Sequence, residues 1–221
     1  MQLTEANLPP ITTFTDYFRM NVYVDELLAA FGYSYRAAQV RLPITGAPPA
    51  WGDELRRRIE AYLPYVAFAN EQARRECLVA PVLLGLVSHF HAHLRIEYPI
   101  EVSERLRGTL DYLIQGERQF LVVEAKNADL QRGFTQLAME LVALDQWNQL
   151  SAPTLYGAVT MGNAWQFGIL DRTDRRVTQV LRLFSVPDDL TDLLRVLVAI
   201  LEGRTVLESA EASPAPCAGR G

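Results

Sequence analysis

Residues 108–115 and 119–126 are two apolar runs of strand length, joined through Gly116 and Glu117, and they carry charged residues inside an otherwise hydrophobic pattern. Such runs around a short Gly-containing turn predict a β-hairpin. If the turn has two residues, Gln115 faces Arg118 and Asp111 pairs with Val122. Side chains alternate between the faces of a strand, so Asp111, Glu124 and Lys126 then share one face. Leu110, Tyr112, Ile114, Leu121 and Val123 share the other, which suits packing on a helix. A four-residue turn keeps the same faces, whereas three or five residues would break them. Burying a charge within a strand is costly unless partners compensate, so the polar face must be answered by other groups.

The rest of the chain supplies layers for such a hairpin. Apolar spacing predicts a short helix over 21–31 ended by Gly32, an extended segment over 33–42, and a loop over 43–50 that is rich in Pro and Gly. A helix with a charged face follows over 53–63. A second helical run covers 68–93, where Pro81 must kink or restart it. Residues 96–102 read as a strand before the hairpin, and 130–149 as a helix after it. Strands are expected over 156–160 and 164–170 around Gly162 and Asn163, and over 177–184, with an amphipathic helix over 190–201 closing the domain. The division expected is an N-terminal accessory layer over 1–65, a main domain over 66–208 and a disordered tail over 209–221. No internal repeat of roughly 20 to 50 residues is visible, which removes solenoids and propellers.

With 221 residues, 49% of them hydrophobic, the chain can bury one sizeable core. Residues 1–10 lack the basic start and apolar run of a secretory signal, and the longest apolar stretch, 77–87, is short of the roughly 20 residues that span a bilayer. The expectation is a soluble, cytoplasmic protein. Its two cysteines, Cys77 and Cys217, form no ligand pattern, so a disulfide scaffold or zinc ribbon is not expected. A net charge of −5 gives no global attraction to nucleic acid, and contact with DNA would need a local basic patch. Among the cationic residues, 20 are Arg and one, Lys126, is Lys.

In the two-residue register, Asp111 and Glu124 are diagonal cross-strand neighbours at about 7–8 Å. Two carboxylates at that separation can converge on one hard cation, with the carbonyl of Ala125 adding a further oxygen.

Asp111 on one strand and Glu124-Ala125-Lys126 on the next resemble the PD-(D/E)XK nuclease superfamily, whose signature is an acidic residue followed by (D/E)xK on the adjacent strand. Glu76 resembles the acidic residue that such domains often carry on the preceding helix as an extra metal ligand, and Gln136 resembles the glutamine on the following helix. The segment from Tyr156 through Gly162 and Asn163 to Phe167 is similar to a hairpin in the N-terminal nuclease domains of type I restriction motor subunits. The resemblance covers about residues 70–185 and leaves the first 65 unmatched. It implies an α/β fold with a restriction-endonuclease-like mixed β-sheet flanked by helices, in αβββαβ order. The implied activity is Mg²⁺- or Mn²⁺-dependent hydrolysis of phosphodiester bonds in DNA, in defence or repair. Asp111 and Glu124, with Glu76 and Ala125, would hold the metal, and Lys126 would orient the attacking water or offset transition-state charge. A compact ammonium suits that role better than a planar guanidinium, which makes the one lysine of an Arg-rich chain informative.

Other groups invite weaker readings. His89 and His93 are spaced i,i+4 for a helical metal pair, although histidine near a helix C-terminus is also favoured by the dipole. Arg56, Arg57 and Arg58, with Arg74 and Arg75, are offset by acidic neighbours and suit a solvated helix face. Trp147, Tyr156, Trp165 and Phe167 could stack on bases, but aromatic residues at such spacing more often belong to a core. Two functions remain open: an active nuclease, or a catalytically silent nuclease-fold module for binding or assembly that contacts a protein partner or a second copy of itself.

Overall fold

The computed structural model describes residues 3–9, 13–116, 120–125, 129–147 and 152–205. In chain order the elements are α1 (Phe14–Arg19), α2 (Val24–Ala30), β1 (Ser34–Ala38), α3 (Gly52–Tyr62), α4 (Glu71–Arg74), α5 (Ala80–Phe90), β2 (His93–Glu101), β3 (Arg107–Gln115), β4 (Phe120–Ala125), α6 (Leu130–Gln146), β5 (Thr154–Thr160), β6 (Ala164–Asp171), β7 (Arg176–Ser185) and α7 (Leu190–Leu201). Among the described residues, seven strands form one mixed sheet in the order β1-β7-β6-β5-β4-β3-β2. The β1–β7 and β4–β5 pairs are parallel and the others antiparallel.

Helices cover both faces because the central strands are apolar on both. Leu121, Val123 and Ala125 of β4, with Tyr156 and Ala158 of β5 and Trp165 and Phe167 of β6, point to one side, where α3, α5 and α7 bury Ile59, Leu83 and Leu197. Val122, Leu155, Val159 and Leu170 point to the other, against Phe134, Leu137 and Leu141 of α6 and residues of α1 and α2. Strands buried on both faces read as continuous apolar runs, as β4 to β6 do. The segment before residue 65 is built into both layers: α1 and α2 pack on α6, α3 packs on α7, and β1 extends the sheet at its edge.

The helical run expected over 68–93 is divided. Helix α4 passes into a π-helical turn, Arg75–Val79, before α5 begins with Pro81 in its first turn. Proline has no N–H to donate to the carbonyl four residues back, and the Tyr62 hydroxyl donates to that carbonyl, on Cys77. The helix stops at Phe90 because His91 adopts a left-handed conformation with φ 51°, a common way to end a helix. His93 therefore opens β2, which begins three residues before the expected strand. Its burial is irregular and mostly exposed, so it lacks the alternation by which a strand is read. Among the described residues, no helix is long and apolar enough to cross a membrane.

Candidate functional site

The hairpin register corrects the two-residue turn. Gln115 pairs with Phe120 rather than Arg118, so four residues separate the strands, and the ladder runs to Tyr112 opposite Val123. The ladder ends there; continued one step, the same register would bring Asp111 toward Glu124 rather than Val122. A shift of two residues preserves every side chain's face, so the apolar pattern cannot distinguish the two registers.

At Asp111 the sheet opens. The β2–β3 ladder skips the step between Glu97 and Asp111, and Glu97 has φ 52°. Leu110 joins the core on the α6 side, although strict alternation would send it with Tyr112 to the other face. On the other side of β3, past the end of its ladder with β4, the Asp111 carboxylate takes the place of a backbone acceptor: Ala125 N–H donates to Asp111 Oδ2 at 2.9 Å. Ala125 thus meets Asp111 through its amide.

Glu124 lies on the central strand β4 with no exposed surface. It is answered from α6, where Gln136 Nε2 donates to Glu124 Oε1 at 2.7 Å and to Glu140 Oε1 at 2.9 Å. The helix comes this close because the strands beneath it lack side chains at two facing positions. Gly157 and Gly168 pair across β5 and β6, and a Cβ on Gly157 would lie 2.7 Å from Leu137 Cδ1, one on Gly168 3.1 Å from Phe134 Cε2. The pair forms a trough that seats Phe134 and Leu137 and brings Gln136 to Glu124.

Glu140 was missed in the sequence. It is wholly buried, and burial, followed by the neighbouring charge of Glu124, pushes its carboxyl well above the ordinary value despite the opposing bond from Gln136. Its signal was an acidic residue one turn after Gln136, on a helix whose surrounding positions are apolar. Gln136 Oε1 is buried with no hydrogen-bond partner among the described residues, and the Glu140 carboxyl also lies within hydrogen-bonding reach of Glu124, which raises its pKa further.

The preceding helical segment turns Arg75, rather than Glu76, toward the hairpin. Arg75 Nη1 lies 3.7 Å from Asp111 Oδ1, Nη2 lies 2.7 Å from Glu97 Oε1, and Nε donates to the Tyr112 hydroxyl at 3.2 Å. Burial works against the charge of Arg75, but Tyr112, Asp111 and Glu97 outweigh it and raise its pKa. Arg75 therefore belongs to this site and not to the solvated face expected for it. Glu76 is exposed and accepts from Gln72 Nε2 at 2.9 Å. The structure brings Asp111, Glu124, Ala125 and Gln136 together and leaves Glu76 at the surface. Lys126 lies outside the described residues, as do Glu117, Arg118 and the 209–221 tail.

The remaining candidates separate. His89 is in α5, His91 caps it and His93 is in β2, so the i,i+4 helical pair does not form. Arg74 is spent on the carbonyls of Phe68 and Met161, and Arg56 on Asp188 and Thr191. Tyr156, Trp165 and Phe167 are core residues, while Trp147 is half-buried against Tyr98. Among the described residues, no group of three or more His, Cys, Asp or Glu is arranged to hold a metal ion. Comparison of the chain with protein-family models, with curated proteins and with solved structures gives no significant match.

Proposed function

We propose that this chain is a metal-dependent nuclease of the PD-(D/E)XK type that hydrolyses phosphodiester bonds in DNA. The observation that carries the reading is the cluster in which Ala125, next to Glu124, donates its amide to the Asp111 carboxylate while Gln136 donates to Glu124 from the following helix. The order of elements supports it: α5, the antiparallel β2, β3 and β4, then α6 and a β5 parallel to β4, which is the αβββαβ sequence expected of a restriction-endonuclease-like core.

The donor set fits Mg²⁺ or Mn²⁺ in chemistry, since Asp111 and Glu124 offer carboxylate oxygens and hard cations take oxygen ligands. When bound, such a cation supplies Lewis-acid polarisation of the phosphate and a more acidic water. Asp111 and Glu124 hold the binding position, and Gln136 fixes the rotation of the Glu124 carboxylate through its amide. Lys126, two residues beyond Glu124, offers a compact positive charge for the developing negative charge on the phosphate.

A second reading, a silent nuclease-fold module for protein binding or assembly, is favoured by one observation. Arg75 lies 3.7 Å from Asp111 and partly satisfies the carboxylate that the nuclease reading gives to a cation. Incubating the purified protein with single- and double-stranded DNA and Mg²⁺ or Mn²⁺, against a chelator control, separates the two. Metal-dependent cleavage supports the nuclease, and intact DNA under every condition supports the module.

A further inference from the structure

We infer that Glu140 is a positioning residue that locks the Gln136 amide onto Glu124, an inference that rests on the nuclease reading of the same site. The Gln136 amide nitrogen has two hydrogens, and both are committed: one to Glu124 Oε1 at 2.7 Å, the other to Glu140 Oε1 at 2.9 Å. A primary amide held by a single acceptor can rotate about its terminal bond and trade nitrogen for oxygen. One held at both hydrogens resists rotation, because turning it would break both bonds and set its oxygen, an acceptor, against the Glu124 oxygen that now accepts from it. Glu140 thus makes the orientation unique.

Burial strengthens the inference. Glu124 and Glu140 have no exposed surface and Gln136 has 2%, so water does not compete for these bonds. Among the described residues no Arg or His forms a salt bridge to Glu140. A buried carboxyl without such a partner costs folding free energy, and its neighbours Met139 and Leu141 show that an apolar residue packs in this stretch of α6. The hydrogen bond to Gln136 supplies a role that an apolar residue at this place cannot fill. Spacing completes the device: residues four apart lie on one helical face, so Glu140 reaches Gln136 from the next turn without disturbing β4.

The test compares wild type, Glu140→Gln, Glu140→Leu, Gln136→Leu and the Glu140→Leu/Gln136→Leu double variant. Each is measured for kcat and KM on DNA with saturating Mn²⁺, for the Mn²⁺ concentration giving half-maximal rate, and for a cooperative thermal melt. Glutamine at 140 keeps an oxygen that accepts from Gln136, so Glu140→Gln is expected to stay within about threefold of the wild-type kcat, whereas Glu140→Leu loses about tenfold or more in kcat at unchanged KM for DNA. The double variant is expected to be no slower than the slower single variant, since both remove one device. Should Glu140→Leu fail to melt cooperatively, Glu140→Met takes its place with the same expectation. Wild-type kcat in the leucine or methionine variant overturns the inference. So does an additive double variant, or a Glu140→Gln as slow as Glu140→Leu with a raised Mn²⁺ requirement, which would make the charge of Glu140 a metal ligand. A wild type that cleaves nothing overturns the nuclease reading itself, and this inference with it.

Discussion

Replacing Glu140 by glutamine should change the pH dependence of stability in a direction set by the buried site. In the folded protein, burial and then the charge of Glu124 raise the Glu140 carboxyl well above its ordinary value of 4.5. A folded-state pKa raised above the unfolded one contributes stability that is complete below the unfolded value and lost as pH rises toward the folded one. Within that window the folded protein binds one more proton than the unfolded chain. The wild type therefore loses about 1.4 kcal/mol of stability for each pH unit gained. For a domain of this size about 1 kcal/mol moves the melting temperature by roughly 2–4 °C, so the expected fall is about 3–6 °C per pH unit. Glutamine has nearly the same shape, can still accept from Gln136 and does not titrate. Melts of both proteins in chelator from pH 4.5 upward should show similar stability at the acid end and a growing advantage for Glu140→Gln above it. A difference that stays constant with pH would refute the reasoning, because it would mean that Glu140 carries no proton bound to the folded state in preference to the unfolded one.

Three further outcomes are expected. Lys126→Arg should abolish DNA cleavage while leaving the thermal melt unchanged, and near-normal activity would show that Lys126 has no specific chemical role. Gly157→Ala, whose Cβ would lie 2.7 Å from Leu137 Cδ1, should cost about 1–3 kcal/mol through overpacking and lower kcat by lifting α6 from Glu124; wild-type kcat would uncouple the trough from the site. Tyr62→Phe removes the donor to the Cys77 carbonyl that faces Pro81, and chemical denaturation should show a loss of about 1–3 kcal/mol with cleavage unaffected.

What the sequence made legible follows from period. Alternation at two residues assigned the faces of β4, and helical spacing placed α6, because both elements bury one consistent side. Glu124 could be named because a charged group inside an apolar run needs partners, and Gln136 only through its resemblance to the glutamine on the helix after such a hairpin. The same alternation could not count turn residues, so Gln115 is expected opposite Arg118 where the strands pair it with Phe120, two residues further on. Leu110 was assigned the wrong face because the sheet opens beside it, at Glu97, through a backbone conformation that no apolar pattern encodes. Arg75 was hidden by its acidic neighbours in sequence, and its contacts with Asp111 and Glu97 are made from the start of a π-helical turn that helical spacing does not predict. The chain before residue 65 gave helices and an extended segment, but the parallel pairing of β1 with β7 joins residues about 140 positions apart, beyond any local signal.

If Asp111 and Glu124 together bind a divalent cation, isothermal titration of Mn²⁺ into metal-free wild type and Asp111→Asn will distinguish the two proteins. The wild type should show one saturable site, and Asp111→Asn, with nearly the same volume and one charge fewer, should lose it while still melting cooperatively. Equal binding by the two proteins, or no binding by the wild type, would contradict the claim.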